Sequence, residues 1–98
     1  MKHSVKFDDY LNEKLKDKIY AREFLNASLE SYIEDGNVDE FVRSLELVIK
    51  ANWSVSDFAK ETNLNRSNLY SIFRHKNKPQ FDTILKIFAK LGFSLRVA

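Results

Sequence analysis

Ser54-Val55-Ser56-Asp57-Phe58-Ala59-Lys60-Glu61-Thr62-Asn63-Leu64-Asn65-Arg66-Ser67-Asn68-Leu69-Tyr70-Ser71-Ile72-Phe73 is the most informative stretch of this 98-residue chain. Ser54, with Asp57 three residues on, has the pattern of a capped helix start, and Phe58 and Ala59 then fall on its inward side. Asn63 lies where the chain must turn sharply, and Asn enters the left-handed region more readily than most residues. Asn65 reads as the cap of a second helix with Leu69, Ile72 and Phe73 on one face. Two short helices meeting at Thr62-Asn63-Leu64 have the spacing of a helix-turn-helix. In that motif the first helix crosses a phosphate backbone and the second enters a major groove. Small Ala59 lets the two axes approach, and Leu64 and Leu69 can lock their crossing angle. Outward on the second helix stand Arg66, Ser67, Asn68, Tyr70, Ser71 and Arg74, nearly all of them hydrogen-bonding residues.

Working outward, only two glycines and one proline occur, and each falls between apolar-periodic segments. Such scarcity of breakers argues for helices joined by short turns. From about Asp17 the face Tyr20, Phe24, Leu25, Ser28, Leu29, Tyr32 and Ile33 has helical spacing, and Gly36 supplies a left-handed stop. Asn37, with Glu40 three residues on, opens a helix whose stripe is Phe41, Val42, Leu45, Val48 and Ile49, ending near Ala51. Beyond Pro79 a last helix is expected to turn Phe81, Ile84, Leu85, Phe88 and Leu91 inward, closing at Gly92. Phe93-Ser94-Leu95-Arg96-Val97 alternates with period two, as a terminal half-buried strand does. At the other end, Ser4-Val5-Lys6-Phe7 reads as an extended arm, with Asp8 or Asp9 capping a short helix that carries Tyr10, Leu11 and Leu15.

Composition narrows the class. Hydrophobic residues are 44% and charged residues 31% of the chain, ordinary for a globular protein. Without cysteine there is no disulfide framework, thiolate zinc site or cysteine nucleophile. No run of apolar residues suits a membrane span, and no charged start precedes an apolar signal core, so the expectation is a cytoplasmic protein. The total charge of +2 conceals a gradient. Residues 1–50 carry 8 Lys+Arg against 11 Asp+Glu, residues 51–65 carry 1 against 2, and residues 66–98 carry 7 against 1. A positive field confined to one region is what a polyanion-binding face needs.

Catalysis has little support. The paired carboxylates Asp8-Asp9 and Asp39-Glu40 fall at expected helix starts, where negative charge offsets the helix dipole. The isolated glycines form no phosphate loop. His3 and His75 are far apart with no metal-ligand spacing. The expectation is a non-enzyme with no cofactor and no metal. Trp53, at a helix boundary, reads as core packing rather than a stacking platform, and Tyr20, Phe24 and Tyr32 read as core or dimer contacts.

The run Val55 to Tyr70 resembles the phage-repressor-like (Xre/Cro) helix-turn-helix, as does Asn77-Lys78-Pro79-Gln80-Phe81-Asp82-Thr83-Ile84-Leu85-Lys86 after it. That likeness covers roughly residues 54–92 and departs at Asn63, where the family usually has glycine. Three further stretches extend it: Phe7-Asp8 with Tyr10-Leu11, then Glu34-Asp35-Gly36, then Leu91-Gly92-Phe93-Ser94-Leu95. With these the chain is similar, almost end to end, to HigA-like addiction-module antidote proteins, the antitoxins of type II toxin–antitoxin pairs. The resemblance implies an all-α fold: a compact five-helix domain of the Xre/Cro type, with an N-terminal helical extension and a short C-terminal strand. Within one domain, 1–36 would be an arm and helix for toxin binding or dimerisation, and 37–98 the helix-turn-helix region. It also implies two activities, neutralising a RelE-superfamily toxin and repressing the shared operon.

Residue types and resemblance together assign a DNA face. Free N–H groups at helix N-termini bind phosphate, which nominates Ser54, Val55 and Ser56 at the first helix and Asn65 at the second. Arg66 and Ser67 occupy the first turn of the recognition helix, and in similar repressors these positions and Ser71 touch base edges. Arg66 is the candidate for bidentate readout of a guanine. Asn68 and Tyr70 reach bases or backbone. Arg74, Lys76 and Lys78 suit phosphates, with His75 adding charge only when protonated. A helix pair that had become mere scaffold would not need an outer side both polar and basic.

One helix-turn-helix buries too little surface for tight specific binding, so a homodimer on palindromic double-stranded operator DNA is expected. The strand at 93–97 could form its interface, pair with the arm at Val5 and Phe7, or add to a toxin sheet. Two other readings remain at this stage. One is a protein-only inhibitor whose acidic residues 8–35 cover a basic toxin, and the other a stand-alone phage-type repressor.

Overall fold

In the computed structural model the backbone is described for residues 5–93 and the side chains for residues 9–93. Among these residues there are six helices and no strand: α1 (Val5–Lys14), α2 (Lys18–Asp35), α3 (Val38–Asn52), α4 (Val55–Thr62), α5 (Arg66–Phe73) and α6 (Phe81–Leu91). The chain divides between Trp53 and Ser54 into two compact units of three helices each.

The first unit is built on a helical hairpin. Asp17 caps α2 by accepting the N–H groups of Ile19 at 2.8 Å and Tyr20 at 3.3 Å. Gly36 ends it in the left-handed region at φ 70°, its N–H returned to the Tyr32 carbonyl. Asn37 restarts the chain at once by accepting the Glu40 N–H, with Asp39 and Glu40 in the first turn of α3. A two-residue link of this kind forces neighbouring helices to run antiparallel. Two contacts fix the register: the Ser28 and Ser44 hydroxyls at 2.7 Å, and the stacked rings of Tyr32 and Phe41 at 5.7 Å. The α3 stripe of Phe41, Val42, Leu45, Val48 and Ile49 is buried as its spacing predicts. Leu11 of α1 and Leu15 just after it complete this core, and the Leu15 carbonyl accepts the Asn52 side chain.

The second unit packs α4 against α5 and α6. Phe58 is fully buried, flanked by Val55 and Ala59, and Leu69, Ile72 and Phe73 supply the facing side. Lys90 of α6 reaches Glu61 of α4 at 2.7 Å. All three helices end in the same way. A residue in the left-handed region (Asn63, His75 or Gly92) donates its N–H to the third carbonyl back, and the next residue donates to the fifth. In α6 the Phe93 ring also meets Phe88 edge to face, which is the apolar contact that accompanies such a stop.

Several expectations are corrected here. Val5–Phe7 belong to α1 and are not an extended arm, so neither Asp8 nor Asp9 starts a helix and that segment is not extended for a strand to pair with. The helix forms because nothing between Val5 and Lys14 breaks it, and the apolar spacing of Leu11 and Leu15 gives it a face to bury. The expected strand over 93–97 fails at its first residue, since Phe93 uses its N–H to close α6; residues 94–97 lie outside the described residues. On α2 the buried positions are Ala21 and Leu25, whereas Tyr20 and Ile33 are exposed. On α6 the inward face is Thr83, Ile87 and Phe88, leaving Phe81 69% and Leu85 40% exposed. That helix is apolar on more than one side, so spacing alone could not say which side its neighbours would cover.

Candidate nucleic-acid interface

In the second unit a capped helix start is repeated within a dozen residues. Ser54 Oγ accepts the Asp57 N–H at 3.1 Å, opening α4, and Asn65 Oδ1 accepts the Asn68 N–H at 2.9 Å, opening α5. Each cap satisfies one N–H of its first turn. The earlier ones, Val55 and Ser56 in α4 and Arg66 and Ser67 in α5, lack partners within their helices and remain donors. The turn between the helices is Asn63-Leu64-Asn65, one residue later than Thr62-Asn63-Leu64, because Thr62 still belongs to α4. Asn63 holds φ 59° and ψ 34° without glycine, and Leu64 closes the turn by donating to the Ala59 carbonyl.

The outer side of α5 follows from what its inner side buries. Leu69, Ile72 and Phe73 face the core, so Ser67, Ser71 and Arg74 point most nearly outward at about 100° per residue. Arg66 and Asn68 stand on opposite borders of that face. Arg66, Ser67, Asn68 and Arg74 are exposed, and Tyr70 and Ser71 are half-buried. Two contacts organise the face. Arg66 Nη1 donates to Ser56 Oγ at 3.2 Å, which places the guanidinium across the N-terminal turns of both helices. The Arg74 guanidinium lies over the Tyr70 ring, 5.4 Å from its centroid. Neither pairing was visible from sequence. The first joins residues ten apart across a turn, and the second depends on ring orientation.

The remaining candidates are placed as follows. Ser54 and Asn65 are exposed, but their side chains already cap helices, leaving them fewer lone pairs for a ligand. The Val55 side chain is buried, so its possible contribution reduces to its N–H. Lys76 and Lys78 are exposed in the loop before α6. Lys90, one of the basic residues of this end of the chain, is paired with Glu61. The structural division also sharpens the charge gradient. Residues 1–53 carry 8 Lys+Arg against 11 Asp+Glu, and residues 54–98 carry 8 against 3. A face with free helix-terminal N–H groups, a guanidinium fixed among them and surplus positive charge suits a phosphate-rich ligand.

Comparison with known families gives the class of protein to which this chain belongs. Residues 4–98 match the family described as "Probable addiction module antidote protein". The chain belongs to that family, the antitoxins that counter a cognate toxin. No curated protein and no solved structure matches it. Among the described residues no helix is long and apolar enough to cross a membrane.

Proposed function

We propose that this antitoxin has two jobs: it neutralises a RelE-superfamily toxin, and it represses its own operon by sequence-specific binding of double-stranded DNA. It acts in the cytoplasm by binding and not by catalysis. The observation that carries the DNA part is the Arg66–Ser56 contact at the joined N-termini of α4 and α5. A guanidinium already oriented beside free N–H groups loses less freedom on meeting a guanine edge or phosphate than a mobile one. On this reading α4–α5 is a helix-turn-helix of the Xre/Cro type. Arg66, Ser67 and Ser71 read base edges, Asn68 and Tyr70 touch bases or backbone, and Arg74, Lys76 and Lys78 hold phosphates. Ser54, Val55, Ser56 and Asn65 contribute phosphate contacts at the helix starts. The acidic first unit takes the toxin, with residues 8–35 as the contact region, and a homodimer presents two recognition helices to a palindrome.

The test is fluorescence anisotropy of the wild type and Arg66→Ala against DNA upstream of the gene and against a scrambled duplex, at two salt concentrations. Preferential, salt-sensitive binding that loses its preference in the variant supports the reading. Equal affinity of the wild type for both duplexes would refute the repressor role and leave an inhibitor that works on protein alone.

A further inference from the structure

At the linked end of the α2–α3 hairpin lies a polar cavity of about 120 Å³, roughly tenfold what a single water needs. Its walls include Ser28, Tyr32 and Asp35 of α2, Glu40 and Ser44 of α3, and Asn37 between them. The hydroxyls here run in one direction. The Glu40 carbonyl can only accept, so the Ser44 hydroxyl donates to it at 3.3 Å and accepts the Ser28 proton at 2.7 Å. That leaves the Ser28 oxygen with lone pairs and no proton to offer. Asp35 gives one carboxylate oxygen to the Asn37 N–H at 2.8 Å and keeps the other. Among the described residues neither Asp35 nor Glu40 is in an ion pair. The Asn37 amide is the fixed donor among these walls, and the acceptors outnumber it. Asp35 also stands where its charge is unfavourable. It ends α2, whose last turn holds no basic residue, so its carboxylate meets the negative end of the helix dipole. A cation in the cavity would relieve that repulsion and take up the free lone pairs.

We infer that this cavity receives the guanidinium of an arginine side chain on the cognate toxin. The inference rests on the reading that the first unit takes the toxin, and it names the contact. A guanidinium fits better than other cations. A divalent ion needs more carboxylates, and among the described residues no three metal-binding groups come together. An ammonium is a point charge with three donors, whereas the five donors of a guanidinium lie in a planar fork that reaches acceptors on both helices at once. A side chain on a protein also suits the surroundings. Residues 1–53 carry 8 Lys+Arg against 11 Asp+Glu and so draw a basic partner. Asp35, Asn37 and Glu40 are exposed, so the head of that side chain enters from solvent.

The experiment has two arms, both on the full chain. In the first, amide NMR shifts are followed as Nα-acetyl-arginine amide is added to about 50 mM, with the lysine and citrulline analogues as controls. The arginine compound should give saturable shifts at Ser28, Tyr32, Asn37 and Ser44, the lysine compound weaker ones, and uncharged citrulline none. In the second, calorimetric titration measures affinity for the cognate toxin. Asp35→Asn keeps an oxygen for the Asn37 N–H but loses the charge, and should weaken toxin binding about tenfold. The same change removes repulsion at the end of α2, so its melting temperature should equal or exceed that of the wild type. Misfolding then cannot account for the lost affinity. Glu40→Gln should weaken toxin binding as well. Absence of saturable arginine shifts, or equal shifts with citrulline, overturns the proposal. Saturable arginine shifts with toxin affinity indifferent to both variants overturn the assignment to the toxin. If the toxin shifts amides of the first unit yet ignores both variants, the cavity contact fails while the first-unit reading holds. Toxin binding that shifts only amides of the second unit overturns both.

Discussion

Among the described residues the first and second units hold three helices each around an apolar interior, yet the two differ in the charge of their sequences. In the first unit the acidic residues outnumber the basic ones, and the long α2 shows solvent a side carrying Ile19, Glu23, Glu30 and Ile33. In the second the helices are short, the caps follow one another closely, and the exposed side of α5 is polar and basic. A three-helix unit needs only one buried stripe per helix, so the outer positions are free to specify a partner. The two units spend that freedom on different chemistry.

If that contrast lies in the surfaces and not in the cores, matched core truncations should cost similar amounts. Phe58→Ala removes a fully buried ring and should cost about 3–5 kcal/mol, and Leu45→Ala in the first unit about 2–5 kcal/mol, both read by urea denaturation. A Leu45→Ala loss below about 1 kcal/mol would mean that the first unit is loosely packed and the symmetry of the comparison false.

Arg66→Ala tests the surface directly. It should leave stability within about 0.5 kcal/mol, because the residue is exposed. It should lower affinity for the preferred duplex by about 1–3 kcal/mol, with smaller effect on scrambled DNA. Ser56→Ala releases the guanidinium while keeping its charge, so its salt dependence should match the wild type while sequence preference falls part of the way. If Ser56→Ala is silent, the fixed guanidinium plays no part in recognition and the charge of Arg66 alone explains its effect.

The caps offer a finer comparison. Asn65→Ala and Ser54→Ala should each cost about 0.5–2 kcal/mol in thermal or urea unfolding. Asn37→Ala, whose bond to Glu40 is longer at 3.3 Å, should fall at the low end of that range. Larger losses for Asn37 than for Asn65 would reverse the picture of a second unit more dependent on its caps, as its eight-residue helices suggest.

What could be read from the residues alone follows the same division. The starts at Asn37, Ser54 and Asn65, the stops at Gly36, Asn63 and Gly92, and the stripes of α3 and α5 were all legible, because caps and periodicity are local. The rotation of α6 was not, since Phe81, Leu85, Ile87 and Phe88 leave two apolar sides and only tertiary contact decides between them. Val5–Phe7 looked like an arm because β-branched and aromatic residues favour strands weakly, a preference that Leu11 and Leu15 outweigh once they are buried. For the candidate site, the exposed positions of α5 were legible from its inner stripe. The Ser56–Arg66 and Tyr70–Arg74 contacts were not, because side-chain rotamers leave no trace in spacing.

The smallest expected effect concerns how the units close their helices. The first uses Gly36 in the left-handed region, while the second uses Asn63 and His75 as well as Gly92. At Gly36 an added Cβ would meet nothing within 4 Å, so the cost of Gly36→Ala is backbone strain alone, about 1 kcal/mol. At Asn63 two effects oppose each other. Glycine would relieve the left-handed strain, but it would also widen the unfolded ensemble by about 0.5–1 kcal/mol. Asn enters the left-handed region at less cost than most residues, so Asn63→Gly should change stability by no more than about 0.5 kcal/mol, whereas Asn63→Ala should lose about 1 kcal/mol. A gain well above 1 kcal/mol from Asn63→Gly, measured by urea denaturation, would show that the turn between α4 and α5 is held under strain. In that case the same substitution should alter DNA binding as well, because relaxing that turn shifts Arg66 relative to Ser56.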